Sequence, residues 1–275
     1  MKPPVFDYLR AASLDEALDT LAEQGDDATI IAGGQSLLAM LNMRLLAPQV
    51  LVDIRGIEQL DTLKISDGSV QIGAAVTQGR LARMMELGAD LPLVSHALQH
   101  VGHYQTRARG TVCGSLAHAD PSSELPLCLA TLGGHVQLRS RDASRSVPAQ
   151  AFQTGMLETA CEAEEIILAV HFPLRRENEG QAFSEFSRRH GDFAVVAAAA
   201  TACGEEVRLG FGGIDDRPMV MTWPSLDDAQ VDDAVNEFIA SIDILEERHT
   251  PATYRARLAR ALGAQVIREA RACRF

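Results

Sequence analysis

The chain has 275 residues, 47% of them hydrophobic and 23% charged, with a formal net charge of −12. That length suits two or three modest cores and the composition excludes a disordered chain, while the acidic balance excludes a phosphodiester backbone as partner, because nucleic-acid affinity rests on basic residues. No apolar run approaches a bilayer span, and Met1–Asp7 lacks the apolar core of a signal peptide, so the expectation is a cytoplasmic protein with no membrane span.

Ser13-Leu14-Asp15-Glu16 fits a capping box, and Leu14, Ala17, Leu18 and Leu21 form the apolar face of a first helix that Gly25 stops. Ala28–Ala32 reads as a short buried strand. Gly33-Gly34-Gln35-Ser36 then turns the chain into a second helix, Leu37 to Leu46, which Pro48 closes, and Val50–Ile54 is another strand. This α/β start ends near Gly56, so the first unit is residues 1–56.

From Ile57 the texture changes. Two β segments, Thr62–Ile65 and Val70–Gly73, flank Ser66-Asp67-Gly68-Ser69, a hairpin signature. Helices are expected from Thr77 to about Leu87 and from Leu93 to Val101. Another is expected near Pro121, with Asp120 as cap and proline at the first helical position. Strands follow at His135–Arg139 and Glu165–Phe172, with residues 141–145 as a polar turn. This second unit is residues 57–174.

The charged stretch Arg175–Gly180 reads as a linker opening a third unit, residues 175–275. Phe193–Thr201 and Val207–Phe211, separated by Gly204-Glu205-Glu206, suggest an antiparallel pair. Thr250–Arg271 is helical, with arginines on its polar face. No internal repeat or low-complexity segment interrupts the chain.

Two glycine turns carry the chemistry. Ala32-Gly33-Gly34-Gln35-Ser36 joins a strand to a helix, where glycine admits an oxyanion close to the backbone and free N–H groups point at it. Gln35 and Ser36 add side-chain donors. The Rossmann G-x-G-x-x-G fingerprint is absent, so Asp53 reads as a strand-end turn residue rather than a ribose ligand.

The second turn, Arg109-Gly110-Thr111-Val112-Cys113-Gly114-Ser115, supplies hydroxyls at Thr111 and Ser115 and close backbone approach at the glycines. Arg107 and Arg109 either raise the local positive potential or form a solvated pair. Glu124, in the next helix start, either complements the helix dipole or accepts from a ribose or adenine donor.

Rival chemistries are weaker. Cys113, Cys128, Cys161, Cys203 and Cys273 make no CxxC pair, so no iron–sulfur or structural zinc site is encoded. His96, His100 and His103 share a helical spacing, but no carboxylate or cysteine joins them and Gly102 interrupts the helix. Gly114-Ser115-Leu116-Ala117 is not the G-x-S-x-G elbow of a serine hydrolase.

Ala32-Gly33-Gly34-Gln35-Ser36-Leu37, Asn42-Met43-Arg44-Leu45 and Val52-Asp53-Ile54 resemble the FAD-binding medium subunit of molybdenum hydroxylases, of the carbon monoxide dehydrogenase and xanthine dehydrogenase type. His100–His103 through Arg109-Gly110-Thr111, then Gly114–Pro121, match its second motif. Arg188–Ala194 and Gly212-Gly213-Ile214 match the start of its C-terminal domain, so the resemblance runs through the whole chain in order.

The resemblance implies an α+β fold: a two-part FAD-binding domain, made of a small α/β unit and a larger α+β unit, then a C-terminal antiparallel sheet with helices. It places Ala32, Gly33, Gly34, Gln35 and Ser36, with Thr111, Val112, Cys113, Gly114 and Ser115, on the FAD phosphates. His118 and Glu124 match positions facing the ribityl, phosphate or adenosine portions, Ile167 a position at the ring system, and Phe193 one whose aromatic ring covers the flavin. Two departures stand out: Cys113 replaces a usual glycine, making the second turn bulkier, and Ser184–Ser187 lacks a lysine often found there.

The implied function is an electron-transfer flavoprotein subunit. Iron–sulfur clusters of a small partner subunit would supply electrons taken from substrate by a large molybdenum-cofactor subunit, in a dimer of heterotrimers, and an external acceptor would receive them. No side chain here need act on the organic substrate. The alternatives are a self-sufficient flavin oxidoreductase and a non-catalytic nucleotide-binding regulator.

Overall fold

Three main sheets and a two-stranded one organise the protein, seen here in a computed structural model that describes residues 2–84, 87–247 and 250–273. The first unit contains β1 (Asp7–Arg10), α1 (Leu14–Gln24), β2 (Ala28–Ile31), α2 (Leu37–Met43) and β3 (Val50–Asp53). Its strands are parallel in the order β1-β3-β2. The expected cap of α1 is present: Ser13 Oγ accepts from Glu16 N at 3.1 Å, and the Glu16 carboxylate accepts from Ala12 N at 2.6 Å.

Helix α2 stops three residues before the expected Leu46. Arg44 takes a left-handed conformation, φ 57°, and its N–H turns back to Leu41 O and Met40 O. Strand β1 had no sequence signal, being four residues with only one half-buried position. Its place is decided by β3, with Asp7 opposite Val50 and Arg10 opposite Asp53.

The second unit opens with the hairpin β4 (Leu63–Ser66) and β5 (Ser69–Gly73). Asp67 and Gly68 both take positive φ, the backbone twist that a two-residue hairpin turn requires. Six helices follow: α3 (Gln78–Ala82), α4 (Leu87–Asp90), α5 (Pro92–His100), α6 (Tyr104–Arg109), α7 (Val112–His118) and α8 (Glu124–Leu132). The helix expected from Thr77 has Thr77 as its N-cap and ends at Ala82 with Arg83 as C-cap, and residues 85–86 of its expected continuation lie outside the described residues. The helix expected to start at Pro121 starts instead at Glu124, because Asp120 Oδ1 accepts from Ser122 N at 2.8 Å and holds residues 120–122 in a turn.

The unit closes with β6 (His135–Arg139), β7 (Ser144–Pro148), α9 (Ala149–Phe152), β8 (Gln153–Gly155), β9 (Glu158–Thr159) and β10 (Ile166–Pro173). Its main sheet is antiparallel in the order β4-β5-β10-β6-β7. The polar turn expected over 141–145 is shorter, since β7 begins at Ser144 opposite Arg139.

The third unit has β11 (Glu179–Ser187), β12 (Ala194–Cys203), β13 (Glu206–Gly212) and β14 (Met219–Trp223) in one antiparallel sheet, then α10 (Val231–Ala240) and α11 (Ala252–Ala272). The expected linker yields its last two residues to β11, where Glu179 pairs with Cys203 and Gly180 with Ala202. Adjacent residues of β13 divide the sheet's faces. A Cβ on Gly210 would meet Leu127 of α8 at 2.9 Å, whereas Gly263 of α11 lies against Phe211 and Leu209. Helices therefore press on both faces, and β12, lying beneath them, is largely alanine.

One α11 arginine departs from the expected polar face. Arg255 is 4% exposed and donates to Gly213 O, while its Nη2 meets Glu247 at 2.7 Å. The chain is thus α+β, with a small parallel unit, a larger antiparallel unit and a C-terminal antiparallel sheet with helices.

Candidate functional site

Close approach of the two glycine turns positions the site. A Cβ built on Gly33 would collide with Arg109 O and lie 2.7 Å from Gly110 Cα. Only glycine admits this backbone contact. Gly34 has φ 70°, a left-handed conformation that side chains rarely adopt, and its carbonyl accepts from Leu38 N at 3.1 Å to start α2.

A cavity of about 670 Å³ opens where the turns meet, within the ~300–1,000 Å³ range of cofactor pockets. Its wall includes Ala32, Gly33, Gly34, Gln35 and Ser36 from the first turn, and Thr111, Cys113, Gly114 and Ser115 from the second. His118, Glu124, Ile167 and Phe193 also line it. Val112 is the exception: it is fully buried and off the wall, its N–H donating to Val76 O at 3.1 Å.

The two turns offer different donor sets. Among the described residues, the N–H groups of Gly33, Gly34, Gln35 and Ser36 have no acceptor within the chain. The second turn is the first turn of helix α7, with Thr111 as N-cap. Thr111 Oγ1 accepts from Gly114 N at 2.9 Å, and Thr111 O accepts from Ser115 N at 3.3 Å. The Thr111 and Cys113 N–H groups are left over there among the described residues.

The Cys113 side chain does not crowd the cavity as the sequence suggested. It is 3% exposed, turned into the core with Sγ 3.5 Å from Ile72 O. Burial pushes its thiol up to about 12, so it stays protonated and unreactive. Arg107 likewise braces the backbone, donating to Val101 O at 2.8 Å and Gly102 O at 3.0 Å.

Gln78 escaped the sequence reading, since nothing in local periodicity marks it. It is 5% exposed on the cavity wall; its N–H donates to Gly110 O at 2.8 Å and its Nε2 to Thr111 O at 3.4 Å. Gln78 Oε1 has no partner among the described residues, which is costly unless a ligand or water donates to it. Free donors at one turn and a buried free acceptor at the other suit a large polar cofactor with phosphates and donor groups.

Burial also governs Glu124, which is 7% exposed. Desolvation pushes its carboxyl up to about 7; the Glu185 and Asp120 carboxylates add to the rise, while its own backbone N–H and His100 oppose it. Phe193, by contrast, is 67% exposed at the cavity wall. The three histidines noted in sequence separate: His96 is exposed, His100 turns to Glu185 at 3.3 Å, and His103 precedes α6 as its cap, against Gly191.

Residues 4–175 match the family described as the FAD binding domain in molybdopterin dehydrogenase. The 6-hydroxypseudooxynicotine dehydrogenase complex subunit alpha of Paenarthrobacter nicotinovorans is 35% identical, over 98% of this chain and 96% of that one. The carbon monoxide dehydrogenase medium chain of Afipia carboxidovorans is 30% identical, over 99% of each. Among solved structures, quinoline 2-oxidoreductase from Pseudomonas putida 86 superposes with a TM-score of 0.92 at 34% identity, covering 99% of both chains.

Proposed function

The chain belongs to the FAD-binding domain family of molybdopterin dehydrogenases, and from that premise we propose that it is the electron-transferring medium subunit of a molybdenum-dependent hydroxylase. It takes electrons from iron–sulfur clusters of a small partner subunit and passes them to an external acceptor. A large molybdenum-cofactor subunit oxidises the substrate, and the assembly is a dimer of heterotrimers in the cytoplasm. Among the described residues no helix is long and apolar enough to cross a membrane.

The observation that carries this reading is the backbone contact between Gly33 and Gly110, which opens both turns into one cavity. The N–H groups of Gly33, Gly34, Gln35 and Ser36 hold the pyrophosphate, with the Cys113 N–H and the Thr111 and Ser115 hydroxyls on its other side. Gln78 Oε1 and Glu124 bond the ribityl or adenosine portions. Ile167 and Phe193 enclose the ring system. FAD, when bound, supplies the capacity to take electrons singly and release them in pairs, while the protein supplies binding, orientation and electrostatics. The units 1–56 and 57–174 form the two jaws, and 175–275 contributes Phe193.

Affinity purification through a tag on this chain, from cells also producing its partner subunits, tests the assignment. The expected result is a complex releasing FAD on denaturation and containing molybdenum and iron. A chain that copurifies with neither metal and takes up no FAD on reconstitution would overturn it. Oxidation of an organic substrate by the isolated chain would favour the self-sufficient flavin oxidoreductase.

A further inference from the structure

Behind the cavity wall, ionisable groups from three elements converge. His100 is the last residue of α5, Glu185 lies in β11 and Glu124 begins α8, and α5 packs against both of the other elements. His100 Nδ1 and Glu185 Oε1 are 3.3 Å apart, and the Glu185 side chain is 2% exposed. Glu185 Oε2 is buried with no hydrogen-bond partner among the described residues. The ring of Phe183 lies 5.4 Å from that of His100, and the ring of His190 lies 6.5 Å away.

Of the two buried carboxyl groups, Glu185 contacts the imidazole, while Glu124 lies on the element packed beside it. Ionising both would leave a net negative charge away from water, next to a cavity that takes an anionic ligand, and such sites retain a proton. The hydrogen bond that His100 donates to Glu185 raises the His100 pKa despite burial, and it engages only one of the two Glu185 oxygens. No side-chain hydrogen bond reaches Glu124 among the described residues.

We propose that Glu124 faces the bound cofactor as a neutral carboxylic acid, a hydrogen-bond donor, kept protonated by its burial beside the His100–Glu185 pair. His100 and Glu185 are positioning residues: they act on the cofactor through Glu124. The proposal rests on the reading that the cavity takes FAD. Around Glu124, α5 presents His100, β11 presents Glu185, and the turn before α8 presents Asp120. His118 and Asp192 share the cavity wall, His190 follows β11, and Cys128 on α8 is a fully buried thiol. The carboxylates outnumber the one imidazole that acts on Glu124 directly. Ionised Glu124 would therefore repel phosphate-bearing ligands, whereas the acid donates to their oxygens.

FAD titrations of the full-length chain between about pH 6 and pH 8.5 test this, because one proton linked to binding changes affinity about tenfold per pH unit. Kd should be level at low pH and rise about tenfold per unit above the ionisation of Glu124. Glu124→Gln, which keeps a donor and removes the titrating proton, should show no pH dependence of Kd across that range. Glu185→Gln should move the inflection to lower pH and His100→Gln to higher pH.

A pH-independent Kd in the parent chain, or an unchanged inflection in Glu124→Gln, would overturn the proposal. Infrared titration of the chain without FAD provides a separate readout. A carboxylic-acid C=O band present at about pH 6 and missing in Glu124→Gln supports the neutral acid; its absence from the parent chain counts against it. If that band is present while no FAD binds at any pH, the cofactor reading fails and the neutral Glu124 stands.

Discussion

Gly33 and Gly110 touch through their backbones, although 76 positions intervene, and a methyl on Gly33 would lie 2.7 Å from the Gly110 Cα. The contact joins the first and second units at the floor of the cavity and aligns the free N–H groups of one turn with the cap of the other. Gly33→Ala should therefore cost about 1–3 kcal/mol, the range for overpacking, and strip FAD from the purified chain. Gly56→Ala is the control, since its Cβ would meet only the flexible end of Arg10 at 3.4 Å. Thermal unfolding and flavin content of the two variants check the difference.

Cys113→Gly should weaken the fold and spare the cofactor. The side chain is core, and glycine inside α7 adds a backbone penalty, for a total of about 2 kcal/mol. The Cys113 N–H remains in place, so FAD affinity should stay within about threefold. Alkylation of the native chain should label exposed Cys273 and leave Cys113 and Cys128 untouched, with mass spectrometry as the readout.

The raised Glu124 pKa also predicts a pH-dependent stability of the chain without FAD. Because folding moves this carboxyl from 4.5 up to about 7, its contribution is fully present below about pH 4.5 and is lost as pH rises through about 7. Glu124→Gln should gain stability relative to the parent across that interval and differ little below it. Denaturant unfolding at pH 4.5, 6 and 8 measures the sign.

Asp53 behaves in the opposite sense. Burial opposes its ionisation, but hydrogen bonds from Arg55 and Tyr8 outweigh burial and hold the carboxyl at about 2. The Arg55–Asp53 contact is 2.6 Å, with Arg55 46% exposed. Arg55→Met should then cost about 1–2 kcal/mol at neutral pH, after allowance for solvent screening. That cost should shrink as pH falls through about 2, because the stabilisation is present above the ordinary carboxylate range and lost on protonation. Urea unfolding of both chains over acidic pH checks it.

Phe193→Ala should separate binding from folding. With the ring 67% exposed, its loss should change stability by no more than about 0.5 kcal/mol. If the ring covers the flavin, FAD affinity should fall about fivefold, the scale of an aromatic contact. Equal affinity in the two chains would remove Phe193 from the cofactor site.

Residues that act on near neighbours were legible in the sequence. The Ser13–Glu16 cap, the Asp67-Gly68 hairpin turn and the two glycine turns are local: each follows from backbone preferences and hydrogen bonds spanning a few residues. The alanine-rich strand β12 and the amphipathic α11 were readable for the same reason. Helix starts were less secure, since Asp120 could either cap a helix or close a turn, and only the bond to Ser122 N decides.

Tertiary structure alone decided the rest. Strand β1 exists because β3 pairs with it, Arg255 is buried because Gly213 O and Glu247 receive it, and the Cys113 side chain joins the core because Ile72 lies beside it. The same holds for His100 and Glu185, which stand 85 positions apart and become one buried pair only when α5 packs on β11. Hydrophobic periodicity records which face of an element is buried, not which partner it meets. Burial and charge in this cavity are set by that partner, so the sequence specified the two glycine turns while packing determined how the wall between them is buried and charged.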